Sequence, residues 1–121
     1  MKRENNRFLH IAKKGTMVVA SFRNTKKLTV LNAEALKLGL LDVITNRNTV
    51  LEINLAGIKF IDSSIIDILN FLSRVAQRFN SKVILTHVEG ELMELIELVK
   101  LHSIFDIREV FAEVKHFDKV A

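Results

Sequence analysis

A carboxylate and two hydroxyls stand together in the stretch FIDSSIIDIL, which begins at Phe60. Asp62, Ser63 and Ser64 are suited to three roles: a hydrolytic nucleophile with an acidic partner, a phosphate acceptor, or a helix cap with no further role. Hydrolysis at either serine would be signalled by a sharp nucleophile turn of the G-x-S-x-G type, which the sequence lacks. We therefore expect no catalytic residue and no enzymatic activity.

The other residue types that carry chemistry are absent or poorly spaced. There is no cysteine, which removes thiol nucleophiles and thiolate metal ligands. The four histidines show no metal-ligand spacing with one another or with a carboxylate on one helix face: His10, His87, His102 and His116. Only His87, at the end of a predicted strand, lies where a ligand could bind. The sequence thus predicts no metal site and no cofactor.

Length and composition indicate a globular protein. The chain has 121 residues, of which 49% are hydrophobic and 26% charged, and we expect one domain over residues 1–121. No apolar run approaches the roughly 20 residues of a membrane-spanning helix, and the start MKRENNRFLH lacks the apolar core of a signal peptide. The expectation is a soluble, cytoplasmic protein that does not insert into membranes.

Positive charge is concentrated at the start of the chain. Residues 1–30 carry eight lysines and arginines against a single glutamate. Such an end can attract nucleic acid or an acidic protein partner, or it can be a solvated surface. Tyrosine and tryptophan are missing and no aromatic residue interleaves with the lysines. We therefore expect no direct binding of nucleic acid.

A β-hairpin is predicted at the start of the chain. Residues 7–13 and 16–22 are rich in strand-forming apolar residues, and Lys14 and Gly15 between them suit a tight turn. The basic segment 23–27 that follows is predicted to be a polar loop.

A helix capped by Asn32 is predicted next, running to about residue 45. Its apolar positions approximate one inward stripe, consisting of Ala35, Leu38, Leu41 and Ile44. Residues 46–48 follow as a polar turn.

The middle of the chain predicts a strand and a long helix. Residues 49–55 are largely apolar, as in a central strand, and residues 56–61 are predicted to be an irregular link. Asp62 opens a helix that ends near Asn80. This helix has a single buried stripe at helical spacing, formed by Ile65, Ile68, Leu69, Leu72, Val75, Ala76 and Phe79.

The remaining segments alternate in the same way. Residues 82–87 predict a strand, residues 89 to about 101 a helix, residues 104–107 a short edge strand, and residues 109–117 a last helix. The third helix has an inward face of Leu92, Leu95, Ile96 and Val99 and an outward face of Glu91, Glu94 and Glu97. The fold class is therefore α/β: a mixed sheet of four to five strands with about four helices packed on it.

The direction of the Ser63 side chain can be derived from helical geometry. At about 100° per residue, Ser63 points away from the buried stripe, as Asn70 does. Asp67 lies one turn further on, and Ile66 is also off the stripe. A phosphate on Ser63 would add about −1.5 to −2 charge beside Asp67 at a helix start that tolerates anions. A partner that presents acidic or apolar groups would then be repelled while the fold is preserved.

The element order and the run F-I-D-S-S at the start of the central helix resemble the STAS domain family, in particular its anti-sigma factor antagonists. The stretch KLTVLNAEAL (27–36) is similar to the segment that enters the family's first helix. The stretch KVILTHVEGELMELIELVKLHSIF (82–105) resembles the family's strand, helix and following Leu-x-x-x-Phe. The resemblance covers residues 14–117 and implies a STAS-like fold.

The resemblance also implies a function. The serine after the aspartate, here Ser63, would be phosphorylated by a serine kinase that is itself the anti-sigma factor; Ser64 is the second choice. A metal-dependent serine phosphatase would reset it. The protein would catalyse nothing and would be a monomer or weak homodimer. The expected partner-binding residues are Asp62, Ser63, Ile66, Asp67, Asn70 and Thr29.

Two departures from the family pattern leave other functions open. Ile65, Ile66 and Asp67 replace the family's Gly-Leu-Gly, and the segment 27–29 lacks the aspartate of the family's Gly-x-Leu-Asp. These changes point to a divergent partner or to a domain that binds without being switched. The alternatives are a constitutive adaptor subunit of a membrane transporter complex and a nucleotide- or lipid-binding STAS module.

Overall fold

A computed structural model of the chain describes residues 8–98 and 106–108, the last three as backbone only. The elements in chain order are β1 (Leu9–Lys14), β2 (Met17–Phe22), β3 (Lys27–Leu28), α1 (Val30–Ile44), β4 (Val50–Asn54), β5 (Phe60–Ile61), α2 (Ser63–Arg78), β6 (Lys82–Thr86), α3 (Gly90–Leu98) and β7 (Asp106–Arg108). The helix predicted over residues 109–117 and the inward position of Val99 lie outside the described residues.

Five strands form the main sheet, in the order β1-β2-β4-β6-β7. The β1–β2 pair is antiparallel, and the other three pairs are parallel. Gly15 has a φ of +65° and allows the tight turn between β1 and β2. Strand–helix–strand units produce the parallel pairs, so the predicted mixed α/β sheet is confirmed. Three helices are present among the described residues.

One face of the main sheet contributes buried side chains to the core. The register places Ala20 beside Ile53 and Ile53 beside Leu85, and these three side chains are buried with the inward residues of the helices. Alternation along β2 and β4 leaves Val19 and Glu52, on the other face, only partly buried. The helices therefore pack on the face that carries the alternating buried residues.

Helix α2 follows its predicted pattern. Ile65, Leu69, Leu72 and Ala76 are buried, and the remaining predicted positions are half-buried. Asp62 is the N-cap, as predicted. Helix α3 likewise buries Leu92 and Ile96 and exposes its three glutamates.

Helix α1 differs from its prediction in two respects. Its N-cap is Thr29, and Asn32 instead completes a capping box by accepting a hydrogen bond from the Thr29 N–H at 2.9 Å. The buried stripe is Leu36, Leu40 and Ile44, whereas Leu38 is 56% exposed. The physical reason is that apolar residues occupy most positions of this segment, so its periodicity does not single out one face.

The pair β3–β5 was not predicted. Residues 23–27 and 56–61 were expected to be a loop and an irregular link, but Lys27 pairs with Phe60 and Leu28 with Ile61 in a short parallel ribbon. Two-residue strands carry no alternation that a sequence pattern could reveal.

Two similar turns, which precede β4 and β6, lie at the end of the main sheet away from the β3–β5 ribbon. Asn48 and Asn80 have positive φ angles of 62° and 55°, and the Asn80 amide donates to Asn48 Oδ1 at 2.7 Å. Ser81 Oγ accepts from the Thr49 N–H at 3.1 Å and donates to the Asn46 carbonyl at 3.0 Å. These bonds satisfy polar groups at the starts of β4 and β6.

Candidate functional site

The Asp62 carboxylate binds the N-termini of two helices. Its Oδ1 accepts hydrogen bonds from the Ser64 N–H at 3.0 Å and the Ile65 N–H at 3.2 Å, in the first turn of α2. Its Oδ2 accepts from the Val30 N–H at 2.9 Å, in the first turn of α1. Backbone N–H groups at helix starts lack internal partners, so one side chain satisfies donors of both helices.

The β3–β5 ribbon places these two helix starts side by side. Helix α1 begins just after β3 and α2 just after β5, and the two strands run parallel. The Asp62 N–H donates to the Leu28 carbonyl at 3.2 Å and extends the pairing by one bond. Leu28 and Ile61 are each 1% exposed and anchor the ribbon in the core.

Hydrogen bonding keeps the Asp62 carboxyl ionised. The Ser64 hydroxyl donates to Oδ1 and is the largest cause that lowers the pKa of Asp62 below its ordinary value of 3.8. The N–H groups of Ile65, Val30 and Ser64 act in the same direction, while partial desolvation opposes them. The site therefore carries a fixed negative charge at neutral pH.

The two serines differ in availability. Ser64 is half-buried and its hydroxyl is bonded to Asp62. Ser63 is exposed, as helical geometry predicted, and its hydroxyl bonds to no other residue in the described part of the chain. The Ser63 hydroxyl is thus the one that a second molecule can reach.

The other predicted partner-binding residues differ in how far they are exposed to solvent. Asp67 is exposed, while Ile66 and Thr29 are half-buried. Asn70, expected on the exposed side, is half-buried, and its Oδ1 is fully buried without a hydrogen-bond partner among residues 8–98. Asn70 therefore offers a partner less polar surface than its position along α2 predicted.

Sequence reasoning missed three apolar side chains at this end of the molecule. Val30 is 66% exposed, Leu31 is 91% exposed and Phe60 is 43% exposed. The error in the α1 cap hid the first two, because a helix that starts at Thr29 puts them in its first turn. The signal that could have found them is Thr29 itself, a good N-cap residue followed by Asn at the third helical position.

A polar cluster lies elsewhere, at the end of β6. The Thr86 hydroxyl donates to Glu52 Oε2 at 2.7 Å, and His87 Nδ1 lies 3.2 Å from the same hydroxyl. No group of three or more potential ligands that could hold a metal ion is found in the described ranges. His87 thus belongs to a hydrogen-bonded cluster with Thr86 and Glu52.

An open groove of about 730 Å³ lies between the β2–β3 loop and the segment after β4. Lys26, Lys27, Ala56 and Gly57 contribute to its lining.

None of the helices within residues 8–98 has the length and hydrophobicity needed to cross a membrane.

Comparison with solved structures identifies proteins of the same architecture. A Thermotoga maritima protein described as an anti-sigma factor antagonist is 16% identical, with 93% of this chain and 96% of that one covered and a TM-score of 0.75. The anti-sigma factor antagonist SpoIIAA, in its unphosphorylated form, is 12% identical, with 93% and 98% covered and a TM-score of 0.69. A sulfate transporter family protein from Wolinella succinogenes is 12% identical, with 90% and 89% covered and a TM-score of 0.67.

At such identities the structural likeness establishes a shared fold alone. A search of curated protein sequences gives no significant match. A family model gives the stronger result, because the model for the STAS domain matches residues 10–116. With nearly the whole chain matched and the expected sheet and helices in place, this protein is a member of the STAS domain family.

Proposed function

We propose that the protein is a non-enzymatic interaction switch of the anti-sigma factor antagonist type. In its unmodified form it binds an anti-sigma factor that is also a serine kinase, and phosphorylation of Ser63 ends the binding. The observation that carries the proposal is the exposed Ser63 hydroxyl, which bonds to no described residue and directly follows the carboxylate that holds two helix starts. The action takes place in the cytoplasm, with the protein as a monomer or weak homodimer.

The switch acts through charge. The kinase transfers the γ-phosphoryl group of ATP to Ser63 Oγ: the new P–O bond forms as the bond to the β-phosphate breaks, ADP leaves, and the hydroxyl proton is released to solvent. The product carries about −1.5 to −2 charge at neutral pH. Because α2 begins at Ser63, the phosphate lies where a helix N-terminus favours anions, and the fold is retained.

Phosphorylation of Ser63 weakens the binding of the partner although the fold is retained. The partner surface consists of Asp62, Ser63, Ile66 and Asp67, with Asn70 and Thr29 at its edges. Adding phosphate next to an exposed carboxylate and a half-buried isoleucine penalises any partner that packs apolar or acidic groups there. A serine phosphatase hydrolyses the phosphoester and restores the binding form.

A kinase assay tests this proposal. The protein is incubated with ATP and each anti-sigma factor kinase of its source organism, and the modified residue is located by mass spectrometry. Ser63→Ala should abolish the modification, whereas Ser64→Ala should retain it. Binding of the same kinase, measured by calorimetry, should be lost in Ser63→Asp. Phosphate found only at other residues would refute the proposal.

A second candidate function is a constitutive adaptor subunit of a transporter complex. It is supported by the fold shared with a sulfate transporter family protein. It is also supported by Asp67, which is exposed where the family has the second glycine of Gly-Leu-Gly and so hinders close approach of a kinase. This function predicts a stable complex that is unaffected by Ser63→Asp, so the same substitution separates the two candidates.

A further inference from the structure

Exposed apolar side chains cluster beside the Ser63 site. Val30 and Leu31 lie in the first turn of α1, and Phe60 lies three residues before Ser63. The Val30 backbone is joined to Asp62 by a hydrogen bond of 2.9 Å, so the two helix starts bring these side chains to one end of the molecule. Exposed apolar side chains grouped at one place on the surface are typical of interaction sites.

Lysines border this patch. Residues alternate along the β3–β5 ribbon: Leu28 and Ile61 are buried, so the paired Lys27 and Phe60 point to the solvent side. Lys26 and Lys59 are joined by a backbone hydrogen bond of 2.7 Å at the start of the same ribbon.

The ammonium groups of these lysines are available to a partner. Lys26, Lys27 and Lys59 are exposed, and none of their side chains bonds to another residue of the described chain. The Asp62 carboxylate accepts hydrogen bonds from both helix starts and forms no ion pair with these lysines within residues 8–98. We call Val30, Leu31, Phe60, Lys26, Lys27 and Lys59 the apolar–basic surface.

We propose that the apolar–basic surface docks an acidic protein segment that carries apolar side chains. Charge complementarity selects this occupant, since three unpaired ammonium groups next to three exposed apolar side chains fit carboxylates that flank an apolar anchor. A basic segment would place like charges together. The inference rests on the proposed function in that it assigns a chemistry to the partner that Ser63 controls.

The same arrangement gives phosphorylation a second effect. A phosphate on Ser63 brings about −1.5 to −2 charge to the end of the molecule where the lysines supply the positive potential. It therefore competes with the acidic segment for the same ammonium groups. Salt screens the attraction between the lysines and the acidic segment, so binding of the segment should weaken as the salt concentration rises.

Two other occupants are less compatible with the surface. Membrane-binding clusters generally have about four to eight basic residues, and this surface has three, Lys26, Lys27 and Lys59. A second copy of the chain could offer its acidic α3 face, where Leu98 is 77% exposed. Both are treated as outcomes of the experiment.

The experiment uses a defined probe and the full chain. A short amphipathic peptide of leucine and glutamate is titrated into ¹⁵N-labelled protein, with the leucine and lysine counterpart as a parallel probe. We expect the acidic peptide to shift the amide resonances of residues 26–31 and 59–63 saturably, and the basic peptide to shift none of them. Equal effects of the two peptides, or shifts confined to other regions, would overturn the inference.

Charge-reversal variants supply the matched control. Lys27→Glu/Lys59→Glu should weaken acidic-peptide binding at least tenfold, about 1.4 kcal/mol. Lys13→Glu/Lys14→Glu changes the net charge equally at the exposed β1–β2 turn, at the opposite end of the sheet, and should change affinity by less than about twofold. Circular dichroism checks that both variants fold. Equal losses in the two variants would show a non-specific charge effect and contradict the inference.

The remaining outcomes are also decisive. Shifts at the same residues on raising the protein concentration alone would assign the surface to a second copy. Shifts caused by phosphatidylglycerol vesicles but not by the acidic peptide would assign it to a membrane. Acidic-peptide binding without phosphorylation of Ser63 in the kinase assay would refute only the proposed switch, whereas phosphorylation without acidic-peptide binding would refute only this inference.

Discussion

The two oxygens of the Asp62 carboxylate accept hydrogen bonds from different helices. Oδ1 accepts from the start of α2, and Oδ2 accepts from Val30 at the start of α1. An asparagine has one carbonyl oxygen, and its amide nitrogen can only donate. Asparagine caps helices as well as aspartate does, but at this position it can serve only one of the two helices.

Replacing Asp62 by Asn should lower the free energy of unfolding at neutral pH. It should also make this free energy less dependent on pH in the acidic range. The pKa of Asp62 in the folded state lies below its ordinary value of 3.8. Its stabilising contribution is therefore complete above that pH and is lost as the pH falls through the folded-state pKa. Urea unfolding measures the free energy of unfolding at pH 7 and pH 3. This free energy should fall less between the two pH values in the variant than in the parent. Equal losses in both proteins would contradict this account.

The sequence predicted part of this residue-level arrangement. The Asp62 cap and the outward direction of Ser63 follow from the spacing of apolar residues along one helix. The bond from Val30 to Asp62 joins residues 32 positions apart, and it depends on a two-residue ribbon that has no sequence pattern. Contacts of this kind arise from tertiary pairing and not from local propensity.

Helices α1 and α2 show when periodicity is informative. In α2, polar residues separate the apolar positions, and all four buried residues belong to the predicted stripe. In α1, Val30, Leu31, Leu38 and Leu41 add apolar residues on several sides of the helix. The buried stripe of α1 could then not be identified from the spacing of its apolar residues, and the exposed apolar pair at its start was missed.

The capping box of α1 gives an element-level prediction. Thr29 Oγ1 accepts from the Leu31 N–H at 3.3 Å, and Asn32 Oδ1 accepts from the Thr29 N–H. Thr29→Ala should lower the free energy of unfolding by about 1 kcal/mol, because the first turn loses a side-chain acceptor. Thr29→Ser keeps the oxygen and should stay close to the parent in urea unfolding. Equal destabilisation by the two substitutions would point to lost packing of the methyl group instead.

The described residues are organised around one hydrophobic cluster. Buried residues from the helices, the main sheet and the β3–β5 ribbon contribute to it, including Leu40, Ile53, Ile61 and Leu72. The alternation of strands and helices was enough to predict the mixed sheet and its parallel pairs. The placement of the two helix starts next to each other could not be predicted, since it results from packing across the whole chain.

Two leucines of α1 test how this core holds the molecule together. Leu40 is fully buried, whereas Leu38 is 56% exposed. Leu40→Ala should reduce the free energy of unfolding by about 2–5 kcal/mol through the cavity it leaves. Leu38→Ala, the same chemical change on the exposed side, should alter it by less than about 0.5 kcal/mol. Guanidinium unfolding followed by circular dichroism measures both, and similar losses would mean that the buried face of α1 is misassigned.

The bridge from Asp62 to Val30 sets a condition for protein engineers who wish to transplant this helix start with its exposed serine. Residues 60–65 copied onto another scaffold would leave one oxygen of the aspartate without its donor. A portable version must also include residues 27–31, held parallel to the first segment. The smallest movable unit is thus two strand–helix junctions and not a linear peptide.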